Sequence, residues 1–126
     1  MRLADSLIQE LEMEAATTRR LLDRIPDAKL TWKPAPKSRT LGQLAMHIAT
    51  TPGAVTGLAS ANPAEVPSFE AMDASPSGKA ELLAALDRSV AQAKQALGGW
   101  DDAALMETWR LTSGGKDVMA IPQIGR

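Results

Sequence analysis

The sequence has no cysteine, no tyrosine, one phenylalanine and one histidine. Without cysteine there can be no disulfide, thiolate zinc site, iron–sulfur cluster or thiol nucleophile. The single imidazole, His47, is all that a histidine-based metal site or general base could draw on. β-Branched residues are scarce as well: Val and Ile total nine, against 37 Ala and Leu. Ala and Leu lose little side-chain entropy in a helix, whereas β-branched residues favour strands, so the composition predicts a mostly helical chain. No apolar run approaches the roughly 20 residues of a membrane span. The opening Met1-Arg2-Leu3-Ala4-Asp5 lacks the charge and apolar pattern of a signal peptide. A cytoplasmic protein with no membrane partner is the expectation. Neither sign of charge dominates: 14 Lys and Arg face 15 Asp and Glu. That balance argues against a polybasic surface built for nucleic acid or anionic lipid.

What is present is a series of amphipathic segments within 126 residues, enough for one domain covering 1–126. Leu3, Leu7, Leu11, Thr18, Leu22 and Ile25 recur at helical spacing, predicting a first helix over 3–24 that Pro26 ends. Residues 27–39, with Trp32, Pro34, Pro36 and Lys37, read as an extended connector. Trp32 there reads as a plug for a bundle end rather than as a ligand-binding group. Thr40 followed three residues later by Gln43 is a capping-box start for a second helix, whose core face is Leu41, Leu44, Ala45 and Ile48. At Thr51-Pro52-Gly53 that helix either kinks and restarts or stops. Residues 60–77 are loop-like. Leu82, Leu83, Leu86, Val90, Ala93 and Leu97 then mark a third long helix, stopped by Gly98-Gly99. Asp101-Asp102 caps a short helical turn, and Ser113-Gly114-Gly115-Lys116 fits the turn of a small irregular hairpin. Residues 121–126 read as the lead-in to a fourth helix.

Few of the polar residues form a chemical constellation. There is no phosphate-binding glycine loop, nucleophile elbow or HExxH pair. Asp101–Asp102 and Glu12–Glu14 are most simply a cap and a solvated face, since nothing apolar surrounds them to raise a pKa. Lys29, Lys33, Lys37 and Arg39 cluster in the connector with little aromatic interleaving, so no nucleic-acid partner is expected. His47 lies about 60° from Leu44 around the second helix, at 100° per residue. It is open to two readings: a half-buried histidine bonded to a carbonyl or water, or a metal ligand on the inner flank of a bundle. One imidazole cannot close a tetrahedral site, so further ligands would have to come from carboxylates or from outside these residues.

Three stretches together resemble the DinB/YfiT-like superfamily: Leu21-Leu22-Asp23-Arg24-Ile25-Pro26, Leu30-Thr31-Trp32-Lys33-Pro34, and Thr40-Leu41-Gly42-Gln43-Leu44 running on to His47. The likeness spans essentially the whole chain. It implies an all-α, up-down-down-up helical bundle, with three long helices present and the fourth absent or truncated. It also implies a divalent metal, nickel or zinc, held by three histidines. The one on helix two is matched by His47, and the other two belong to an HxxxH motif on helix four that has no counterpart here. The implied activity is thiol-transferase-like or hydrolase-like, with a thiol cofactor and a small-molecule ligand, in a homodimer. The alternative is a truncated, metal-free bundle acting as a small-ligand-binding, dimerisation or helix-binding module, which an open three-helix groove would suit.

Overall fold

The computed structural model describes residues 3–65 and 75–123. Helix α1 (Leu3–Asp23) leads through a single 3₁₀ turn (Asp27–Lys29) to α2 (Leu41–Ser60), with strand β1 (Ala64–Glu65) immediately after it. Helix α3 (Lys79–Gly98), the short helix α4 (Asp102–Met106) and strands β2 (Thr108–Ser113) and β3 (Lys116–Pro122) complete the described chain.

Side-chain ties fix the helix directions. Arg19 pairs with Asp87 at 2.6 Å and Glu12 with Lys94 at 2.7 Å, so α1 and α3 run antiparallel. Gly42 at the start of α2 packs on Pro76 just before α3, and further along Gly53 donates its N–H to Ser89 Oγ at 2.7 Å, so α2 and α3 are parallel. The long helices therefore run up, down, down. α3 lies between the other two and contributes Leu82, Ala85 and Leu86 to the core. α1 adds Leu22, the connector Leu30, and α2 Ala45, Met46 and Ala49. Each fully buried leucine in that cluster contributes about 1.5–3 kcal/mol through removal of apolar surface from water. Among the described residues no helix is long and apolar enough to cross a membrane.

Helix α2 begins as its sequence directs: Thr40 Oγ1 accepts from the Gln43 N–H, and Gln43 Oε1 accepts from the Thr40 N–H. It neither stops nor restarts at Pro52, which lies inside one continuous helix. Proline removes one ladder bond there. The hydroxyls of Thr50 and Thr51 meet carbonyls of the preceding turn, and the neighbouring Gly53 N–H is engaged by α3. Those bonds tie the turn around the proline to the preceding turn and to α3.

The expectation of an all-α chain is overturned by a three-stranded mixed sheet ordered β1-β2-β3. β1 pairs in parallel with β2, Ala64 opposite Leu111, and β2 pairs antiparallel with β3, Trp109 opposite Ile121. Gly114 and Gly115 have φ of 61° and 83°, the left-handed region that a tight two-residue hairpin turn requires. Composition misled because it averages over the chain. Thr108, Trp109 and Thr112, residues suited to a pleated surface, are concentrated in one short stretch. The helix count is four rather than three, because Asp101 caps a five-residue helix by accepting the Ala104 N–H. Residues 121 and 122, expected to lead into a fourth long helix, belong to β3. Gln123 follows β3 directly, and the remainder of that lead-in, 124–126, lies outside the described residues.

The sheet sits at the end of the bundle where α1 begins and α2 and α3 finish. Leu3 N–H donates to Asp102 Oδ1 of α4, and Gln123 Nε2 donates to the Ala59 carbonyl of α2. The opposite end is built from the last turn of α1, the connector and the first turns of α2 and α3. There Lys79 N–H donates to Asp27 Oδ1, and the Gly42 N–H donates to the Leu30 carbonyl.

Candidate metal centre at His47

His47 occupies the second turn of α2 and is half-buried. Its carbonyl accepts from the hydroxyl of Thr51, one turn on. The helix presents two apolar faces. Ala45, Met46 and Ala49 are buried in the core shared with α3. Leu41, Leu44, Ile48 and Val55 lie within about 60° of one another on a second face. Of these, Leu44 is 47% exposed, Ile48 38% and Val55 48%. His47 stands about 60° beyond Leu44, at the margin of that second face. A helix that is apolar round so much of its circumference belongs in an interior covered from more than one side.

The donor set does not suit the three-histidine ion that the resemblance implies. Among the described residues no group of three or more His, Cys, Asp or Glu side chains could hold a metal. The chain supplies no second imidazole and no thiolate. A tetrahedral centre needs three or four protein donors, so the described residues alone do not fit the ion.

Several carboxylates of the chain are engaged by other partners. Asp101 caps α4, Asp102 holds the first turn of α1, and Glu12 pairs with Lys94. Glu65 closes the hairpin: its carboxylate accepts from the Thr112 hydroxyl at 2.7 Å and from the Gly114 N–H at 2.8 Å. Those two bonds, the Thr112 bond foremost, hold its carboxyl below the usual range against a smaller opposing effect of desolvation. Glu81 is likewise lowered, by the Ser77 N–H first and the Ser77 hydroxyl second. No spacing motif in the sequence singled out Glu65, because its partners lie almost fifty residues further along the chain.

An open groove of about 320 Å³ runs between α2 and α3, lined by Gly53, Thr56, Gly57, Ser60, Gln92, Gln95 and Ala96. It lies on the α3 side of α2, and His47 does not line it. Trp32 does not plug the bundle end: it is 55% exposed. That place is taken by Leu30, which is buried in the core cluster. The bundle-end tryptophan is instead Trp109, 2% exposed at the sheet end, with Nε1 donating to the Ala61 carbonyl.

The up-down-down helices, the short sheet and the isolated helix-two histidine define a helical-bundle scaffold. The sequence pattern of the DinB superfamily matches residues 10–123, and the chain belongs to that superfamily. No curated protein matches the sequence. A crystal structure of a DinB-like protein from Bacillus cereus ATCC 10987 is similar, with a TM-score of 0.73 at 19% identity. The similarity covers 95% of this chain and 75% of that one. At that identity the likeness concerns the fold.

Proposed function

We propose that this DinB-superfamily chain works as a helix-accepting bundle. The second apolar face of α2 seats an amphipathic helix, and His47 becomes a metal donor only when that helix brings further imidazole or carboxylate groups. The observation that carries the reading is the exposure of Leu44, Ile48 and Val55 on a helix whose other face is already packed. Burying such a row is worth more than leaving it wet, and an amphipathic helix presents its own apolar residues at the same spacing. A nickel or zinc ion, a thiol cofactor and transferase-like or hydrolase-like turnover belong to the completed assembly. The described residues alone hold none of that machinery.

The test uses a synthetic amphipathic peptide of Leu, Ala and Lys carrying two histidines four residues apart, titrated with nickel chloride in the presence and absence of the chain. The expected result is no stoichiometric ion on the chain alone and one per chain–peptide complex. The ion should be lost in His47→Ala, and the complex in Ile48→Glu. Peptide binding that ignores Ile48→Glu overturns the proposed docking face. Tight nickel binding to the chain alone, unchanged in His47→Ala, overturns the role of the histidine.

A further inference from the structure

Charge is distributed unevenly along this nearly neutral chain. Residues 19–39 hold seven of the fourteen Lys and Arg but only two of the fifteen Asp and Glu, a local charge of +5 that leaves −6 for all the rest. The fold turns this segregation into an end-to-end polarity. The basic stretch comprises the last turn of α1, the 3₁₀ turn and the connector, all at the end of the bundle away from the sheet. Acids Asp5, Glu10, Asp101, Asp102 and Glu107 lie towards the sheet end. Within the basic end Lys29, Lys33 and Lys37 are exposed, and none pairs with a carboxylate among the described residues. Beside them the Trp32 indole is 55% exposed, held there because its backbone is tied at both sides: its N–H donates to the Lys29 carbonyl and its carbonyl accepts from the Leu41 N–H. Leu21, in the last turn of α1, adds a second exposed apolar side chain at the same end.

We infer that this end is a docking surface for an anionic lipid bilayer. The unpaired ammonium groups would lie among the headgroups, and Trp32 at the interface between headgroup and acyl chain. The surface combines exposed point charges with exposed apolar side chains, Trp32 and Leu21, a pairing that suits the headgroup and acyl layers of an anionic bilayer together. Indole rings partition to that interface, and each lysine near an anionic leaflet strengthens attachment by about fivefold. Three of them together give about a hundredfold. A nucleic-acid strand would use the charges but leave Leu21 wet, and it would ask for several stacking rings where there is one. A second copy of the chain could present its acidic end to the basic one, but that head-to-tail contact does not close on itself and leaves the same surface bare at each terminus. The acidic end, repelled by the same bilayer, would point away and orient the molecule.

Co-sedimentation of the whole chain with vesicles tests this, using phosphatidylcholine alone and phosphatidylcholine with about one part in three phosphatidylserine. Binding is expected only to the serine-containing vesicles and should fall steeply as salt shortens the Debye length. Reversing Lys29, Lys33 and Lys37 together to Glu should lower partitioning at least a hundredfold, and Trp32→Ala several-fold. The tryptophan emission should shift to the blue on vesicle binding, and the shift should vanish in Trp32→Ala, although Trp100 and Trp109 remain. Because the three lysines are exposed, the thermal midpoint should not change. If the Glu variant proves unstable, the Lys→Gln triple carries the same expectation with a smaller drop. Equal sedimentation with both vesicle types, or a charge variant that binds like the parent, overturns the inference. So does binding confined to a single-stranded RNA oligomer, or self-association of the chain that the Glu variant abolishes while vesicles remain unbound.

Discussion

The indole Nε1 of Trp109 donates to the carbonyl of Ala61 at 2.8 Å, joining β2 to the residue that follows α2. Trp109 is both the largest buried side chain of the sheet end and its polar anchor. The hairpin is thereby fastened to the bundle, with Gln123 making a second tie to Ala59.

Replacing Trp109 by Phe keeps most of the apolar volume but removes the bond to the Ala61 carbonyl. The expected loss is about 0.5–1.5 kcal/mol, the net worth of one part-buried hydrogen bond whose carbonyl water can reach. Trp109→Ala should cost about 3–5 kcal/mol, because the cavity adds to the lost contact. Urea unfolding followed by far-UV circular dichroism separates the two, with Phe falling between the parent and Ala.

Glu65 makes the hairpin pH-sensitive. Its folded pKa lies below the ordinary 4.5, chiefly through the Thr112 hydroxyl and then the Gly114 N–H. A depressed folded value stabilises the native state above the unfolded pKa, and that contribution disappears as pH falls through the folded one. Thermal midpoints should therefore decline below about pH 4.5 in the parent. Glu65→Gln should remove part of the decline and lower the midpoint at neutral pH. Glu81, lowered by Ser77, contributes in the same direction and accounts for some of what remains.

Much of this architecture could be read from residue order, and what could not depends on distant partners. The Thr40–Gln43 cap and the stripes of α1 and α3 are local patterns, visible because cap and periodicity are set within a few residues. The expected core face of α2 is displaced: Ala45 is buried, but Leu44 and Ile48 are exposed, and Met46 and Ala49 take their place. The continuity of α2 through Pro52 was not visible, because the Gly53 N–H finds its partner on Ser89, thirty-six residues away. β1 was hidden for the same reason: two residues become a strand only because Leu111 and Thr112 lie alongside. The Gly114–Gly115 turn is legible as a local signal, whereas the sheet it belongs to is masked by a chain-wide composition rich in Ala and Leu. At the candidate site the sequence singles out His47, whereas the exposed second face of α2 beside it emerges only from the packing of the first.

Two glycines on α2 should respond oppositely to alanine. At Gly42 a Cβ would stand 2.9 Å from the Leu30 carbonyl oxygen and 3.1 Å from the Pro76 ring, both parts of the connector end. Backbone must shift, so Gly42→Ala should destabilise by about 1–3 kcal/mol despite its better helix propensity. At Gly57 nothing lies within 4 Å of the added carbon, and the residue is helical and exposed. Gly57→Ala should stabilise by about 0.5–1 kcal/mol through reduced freedom of the unfolded chain. Denaturant midpoints moving the same way in both variants would contradict the close approach at Gly42.

The two apolar faces of α2 can be told apart by substitution. Ala49 is fully buried in the core, and Leu86 of α3 belongs to the same cluster, so Leu86→Ala should cost about 2–5 kcal/mol. Ile48 lies on the other face and is 38% exposed, so Ile48→Thr should change the stability of the isolated chain by no more than about 0.5 kcal/mol. Its effect should appear instead when an amphipathic helix is present: the parent gains stability with peptide concentration as a ligand-bound state does, and Ile48→Thr gains less. Paired melts with and without peptide measure both quantities in one preparation. A large loss in Ile48→Thr without peptide would show that the face is already covered within the chain, whereas a peptide-dependent difference confined to the parent marks it as a seat for a helix.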